Sequence, residues 1–288
     1  MLRKVSILIA CALALAGCSL QAPAQWTAGT GPIKIVTSTD VWGSVANLVA
    51  GKFATVTALV SNANQDPHSF EASARDQLLV DNADIVVMNG GGYDDFMQRM
   101  VDADPTPAVT VDAFMVAGFD EKRNEHIWYD VDQVGDVAAV IAAAIETLRP
   151  EDSDSLDASV ADFRRKLAER KALLEAIKAS GACGRVFATE PLVDYLLEDA
   201  GCQNVTPAAY SRAIEEERDV PPAVMLESMK IVKGNLYFVA TNSQVSTGQI
   251  SELLRLTTRK TLSFSELLGA SDYWRMLDEA IAKVGNSK

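Results

Sequence analysis

Residues 153–180 read SDSLDASVADFRRKLAERKALLEAIKAS. Apolar side chains at Leu156, Val160, Phe163, Leu167, Leu174 and Ile177 step by three, four or seven, which is one face of a helix. Arg170 interrupts that face with a charge. Ser153 or Ser155 is placed to cap the start, and Gly181 the end. Roughly 26 helical residues at about 1.5 Å each span about 39 Å. One domain rarely needs so long a helix, whereas a rigid strut between two lobes does.

Alternating strands and helices lie on both sides of this segment. Ile33–Thr39 reads as a strand, Val41–Ala50 as a helix ending at Gly51, and Val56–Val60 as a second strand. Ser73–Asn82 is helical, and Ala83–Asn89 is an apolar strand running into Gly90, Gly91 and Gly92. A helix over Tyr93–Val101, a strand over Ala108–Val111 and a helix over Val131–Leu148 follow. The pattern restarts near Arg185, where Val186-Phe187-Ala188-Thr189-Glu190 echoes Val36-Thr37-Ser38-Thr39-Asp40. Ala200-Gly201 echoes Ala50-Gly51, and Ala240-Thr241-Asn242 echoes Val87-Met88-Asn89. The expectation is an α/β chain of two similar lobes, each a mainly parallel sheet flanked by helices. The lobes would cover 32–150 and 182–288, joined by a helix over 151–181.

The chain opens MLRKVSILIACALALAGCS. Arg3 and Lys4 make a positive start, and Val5–Ala16 is an apolar run too short to span a bilayer comfortably. Leu15-Ala16-Gly17-Cys18 resembles the lipobox of bacterial lipoproteins, in which the Cys thiol is acylated. An ordinary secretory signal with a chance Cys is the alternative. Residues 1–17 then form the signal peptide, Cys18 the lipidation site and 18–31 a flexible tether, with acyl chains anchoring the exported chain. Export leaves Cys183 and Cys202 in an oxidising compartment, where a disulfide is expected and two buried thiols are the alternative. Their spacing excludes a CxxC metal site.

Across 288 residues, Asp plus Glu is 39 and Lys plus Arg 26, a net charge of −13. This lacks the basic footprint of a nucleic-acid binder. There are two histidines, His68 and His126, both in loops beside carboxylates. Taken singly, either reads as structural or exposed. Together, as the only imidazoles of an exported chain, they shift the balance towards a ligand role.

Asp66-Pro67-His68-Ser69-Phe70-Glu71 and His126-Ile127-Trp128-Tyr129-Asp130, in that order, resemble the zinc- and manganese-binding lipoproteins of bacterial ABC importers. Thr189-Glu190-Pro191, Asn242-Ser243-Gln244 and Tyr273-Trp274-Arg275-Met276-Leu277 support the likeness, which covers nearly all of the chain beyond the signal segment. The resemblance implies two α/β lobes joined by one rigid helix, with a divalent metal between them. It implies His68 and His126 as ligands from the first lobe, and Glu190 and Glu266 from the second. Zinc-type relatives often carry His at the position of Glu190, and many manganese-type relatives carry Asp at that of Glu266.

Two imidazoles and two carboxylates suit a divalent transition ion and neutralise its charge. With no His-rich loop, Mn²⁺ is favoured slightly over Zn²⁺. The implied role is a lipid-anchored, monomeric substrate-binding protein on the extracytoplasmic face, delivering metal to a permease and its ATPase, and not an enzyme. An exported metal-dependent hydrolase is the alternative. It would need an open coordination position and a spare general base, and HExxH and GxSxG are absent. A surface adhesin is possible as a secondary role.

Overall fold

The computed structural model describes residues 31–103, 108–119, 123–245 and 248–287. The signal segment and Cys18 lie outside the described residues. The first lobe runs β1 (Ile33–Thr39), α1 (Asp40–Ala50), β2 (Ala54–Val60), α2 (Ala74–Asp81), β3 (Ile85–Met88), α3 (Asp95–Ala103), β4 (Val109–Asp112), α4 (Ala113–Val116) and α5 (Gln133–Leu148). Helix α6 (Ser153–Ala179) follows. The second lobe runs β5 (Arg185–Ala188), α7 (Asp194–Asp199), β6 (Gln203–Asn204), α8 (Ala208–Glu215), α9 (Pro222–Val232), β7 (Phe238–Asn242), α10 (Gly248–Leu254), β8 (Thr261–Phe264) and α11 (Tyr273–Gly285).

Each lobe is built on a four-stranded sheet with every pairing parallel, ordered β2-β1-β3-β4 in one and β6-β5-β7-β8 in the other. Helices on both faces explain why β3 is buried at all four residues and why it reads as an unbroken apolar run. In both sheets the chain moves outward from the first strand to the second, then returns across it to the third. That reversal opens a crevice beyond the carboxyl ends of the strands, the usual place for a ligand in such sheets.

Helix α6 is the strut expected from its sequence, 27 residues long. Leu156, Phe163, Leu167 and Leu174 are buried along it. Gly135 of α5 packs so close that a Cβ there would sit 3.1 Å from Leu167 Cδ1. Arg170, the charge that breaks the stripe, pairs with Asp278 of α11 at 2.7 Å and lies over the Trp274 ring at 4.4 Å. The interruption is therefore a docking contact with the C-terminal helix. The expected serine cap does not form. A turn of 3₁₀ helix over Pro150–Asp152 leads directly into Ser153, and no side chain caps the start. Gly181 does end the helix, with φ of 59°.

One continuous apolar cluster runs from Trp42 and Ile141 through Leu167 and Leu174 to Leu196 and Leu277, and so spans both lobes. Cys183 and Cys202 form a disulfide with Cα atoms 4.9 Å apart, tying the starts of β5 and β6 together. No helix among the described residues is long and apolar enough to cross a membrane.

Candidate metal centre

The carboxyl ends of the two sheets supply the polar groups between the lobes, and they do so in matching positions. Asp40 and Glu190 follow the first strands, β1 and β5. His68 follows the second strand of the first lobe, and Glu215 follows the second strand of the other. Asn89 and Asn242 stand at the ends of the third strands, and His126 and Glu266 follow the fourth. The weak repeat in the sequence is thus also a repeat of polar positions beyond the strand ends.

The His68 loop is shaped by Asp66, whose Oδ1 accepts the His68 backbone N–H at 2.9 Å. The ring stands edge-on to Tyr93, centroids 4.8 Å apart. Tyr93 follows the Gly90–Gly92 turn, where all three residues have positive φ. A Cβ on Gly90 would lie 2.3 Å from Asp112 Oδ1, and one on Gly91 2.6 Å from Phe114, so only glycine fits this approach. His126 is fully buried against Trp128. Asn124 Oδ1 accepts both the His126 backbone N–H at 2.9 Å and the ring Nδ1–H at 2.6 Å. That bond fixes the tautomer and turns the Nε2 lone pair towards the lobe interface.

Glu215 ends α8, and its Oε1 lies 3.4 Å from both His68 Nε2 and His126 Nε2. The ligand atoms of these three residues all lie within 4.8 Å of one another. Glu190 and Glu266 form a neighbouring pair joined by Asn242. Its Nδ2 donates to Glu190 Oε2 at 2.7 Å and to Glu266 Oε1. Gln244 Oε1 accepts the Glu266 backbone N–H at 3.1 Å. Among the described residues, the buried polar atoms without a hydrogen bond include His68 Nε2, His126 Nε2, Glu190 Oε1, Glu215 Oε1 and Glu266 Oε2, the Glu215 oxygen lying within ion-pair reach of both imidazoles. Buried polar atoms are rarely left so. His68, His126 and Glu215 can each offer one atom to a single ion, and the Glu190–Glu266 pair is a separate buried carboxylate pair; imidazole and carboxylate are donor types that suit divalent transition ions.

The electrostatics agree. Burial pushes Glu190 up to about 8, helped by the charges of Glu215 and Glu266. Burial likewise pushes Glu266 up to about 8. Burial alone would lower His68, but the adjacent Glu215 carboxylate raises it to about 9. Burial lowers His126 to about 4, so its ring is neutral. Burial would raise Glu215, yet the imidazoles hold it below the ordinary carboxylate value. A surface depression reaches His68 and Glu215, with Glu125, Glu216 and Glu217 on its walls.

The structure therefore brings His68 and His126 together, and it sets Glu190 and Glu266 beside each other in the same interface. Sequence reasoning missed Glu215. It lies in Ile214-Glu215-Glu216-Glu217-Arg218, which reads as a solvated charge run. The available signal was the repeat, since the connection that carries His68 in one lobe carries Glu215 in the other.

Comparison with known proteins fits this two-lobed arrangement. Residues 35–286 match the family model described as zinc-uptake complex component A, periplasmic, and the chain belongs to that family. It is 30% identical over 174 residues to the manganese-binding lipoprotein MntA of Halalkalibacterium halodurans, covering 59% of this chain and 56% of that protein. It is 25% identical over 279 residues to the zinc-binding lipoprotein AdcA of Streptococcus pneumoniae, covering 87% of this chain and 53% of that one. The chain thus spans about half the length of the curated relatives it matches. A crystal structure of ZnuA superposes with a TM-score of 0.75 at 20% identity, over 88% of this chain and 98% of the other, and so shares the fold.

Proposed function

We infer that this chain captures a divalent transition metal between its lobes and hands it to the permease of an ABC importer, whose ATPase drives uptake. The observation that carries this reading is the cluster of His68, His126 and Glu215 ligand atoms within 4.8 Å of one another, with the buried, Asn242-bridged Glu190 and Glu266 carboxylates as the further donors. His68, His126, Glu190 and Glu266 are the ligands expected from sequence, and Glu215 joins them as a fifth donor. The metal is cargo, bound as substrate.

Three carboxylates beside two imidazoles make an oxygen-rich set with more than the four donors of a closed zinc site, which favours Mn²⁺. Zn²⁺ still binds tightly, because intrinsic affinity rises from Mn²⁺ towards Zn²⁺. The match to a metal-uptake family supports a carrier over an enzyme. The family match and the lipoprotein names of the relatives support export and lipidation at Cys18. Residues 18–31 act as the tether, 32–150 and 182–288 as lobes, and 151–181 as the connecting helix of a membrane-held monomer.

Calorimetric titration with Mn²⁺ and Zn²⁺ tests this reading. One ion per chain is expected, with binding lost or much weakened in His68→Ala, His126→Ala, Glu190→Ala and Glu266→Ala. Unchanged affinity in either histidine variant would overturn it.

A further inference from the structure

Asp40 makes different bonds from its matched residue. Its counterpart Glu190 turns to the lobe interface, but Asp40 Oδ1 accepts the Leu268 backbone N–H at 3.0 Å and Oδ2 the Gly269 backbone N–H at 2.8 Å. Both acceptors come from the start of α1 in the first lobe. Both donors belong to the loop after β8 in the second lobe, two and three residues beyond Glu266.

The same loop is held to the first lobe elsewhere. Tyr129 donates its hydroxyl to the Ser265 carbonyl at 2.8 Å. Leu267 is buried in an apolar cluster with Val36, Val60, Val80 and Met97, all first-lobe residues. Gly269, with φ of 59°, approaches the loop leading to His68 so closely that a Cβ would lie 3.2 Å from that of Ala63. The segment bearing Glu266 is thus second-lobe chain seated on the first lobe, against the segment that bears His68.

We propose that Asp40 is a positioning residue for the metal centre: by clamping the Leu268 and Gly269 amides it fixes Glu266 relative to the imidazoles without touching the ion. A carboxylate that takes two backbone N–H groups makes two charge-assisted bonds and sets the direction of the loop. Partners behind a ligand typically tune metal affinity by about 10- to 100-fold. The proposal rests on the metal-capture reading and on Glu266 acting as a ligand.

The test is a set of titrations of the metal-stripped full chain with Mn²⁺ alone. Asp40→Ala is expected to weaken binding about 10-fold or more. Asp40→Asn, which keeps the shape and one acceptor, should weaken it less, and it serves if Asp40→Ala does not fold. The discriminating readout is a pair of double variants. In a Glu266→Gln background the Asp40 substitution should cost almost nothing further, whereas in a Glu190→Gln background its full fold-loss should persist. Equal fold-losses in both backgrounds, or wild-type affinity in both Asp40 variants, would overturn the proposal. A wild-type chain that takes up neither Mn²⁺ nor Zn²⁺ would overturn the metal reading itself, a distinct result.

Discussion

Glu215 Oε1 stands 3.4 Å from His126 Nε2, bringing the end of α8 in the second lobe against a fully buried ring of the first. The carboxylate lies equally close to His68 Nε2. A single acidic side chain therefore faces both imidazoles across the lobe interface, and much of the centre's behaviour follows from that placement.

Proton release should accompany binding. At pH 7 Glu190 and Glu266, both pushed up to about 8, and His68, raised to about 9, hold protons in the metal-free chain. A metal takes the deprotonated forms. Titrations in buffers of different ionisation enthalpy should show more than one proton released per ion at pH 7, and affinity should rise from pH 6 to 8. Proton-neutral binding would contradict this.

The same groups set the stability of the metal-free fold. A folded pKa above the unfolded one means that folding holds extra protons. For Glu190 and Glu266 this contribution is complete below their unfolded value of about 4.5 and fades as pH rises through about 8. For His68 it is complete below about 6.5 and fades through about 9. All three fade between pH 7 and 9, so the melting temperature of the metal-free chain should fall over that range. Bound metal should abolish the fall.

Asn124 is expected to matter as much as a ligand. Its Oδ1 fixes the His126 tautomer, and its Nδ2 donates to the Pro191 carbonyl across the interface at 2.6 Å. Asn124→Ala should weaken metal binding about 10- to 100-fold, as measured by calorimetry.

The disulfide should affect stability and not binding. It sits at the start of β5, at the opposite end of the strand from Glu190. Replacing Cys183 and Cys202 with Ser should cost about 3 kcal/mol in chemical denaturation, on the chain-entropy account of a loop of about twenty residues. Metal affinity should stay at the wild-type value.

The parts of this molecule that sequence made legible are those with a local physical signature. The strut showed its apolar face, and β3 its unbroken run. His68 and His126 stood out because there were no other imidazoles to weigh against them. Glu190 and Glu266 came from resemblance, not from any local pattern. Glu215 was not legible because three consecutive glutamates look solvated, and only tertiary packing turns the first of them inward. Asp40, as the repeat partner of Glu190, was legible as a helix cap or a group behind a ligand, but the clamp it makes was not. Its partners are backbone amides more than 220 residues away, and they leave no side-chain signature.

X-ray absorption at the metal edge of the Mn²⁺-loaded chain tests the central claim most directly. The account predicts one ion per chain, with the multiple scattering of two imidazoles and a remaining shell of oxygen atoms. A spectrum with one imidazole or none, or with sulfur in the first shell, would contradict a centre built on His68, His126 and the facing carboxylates.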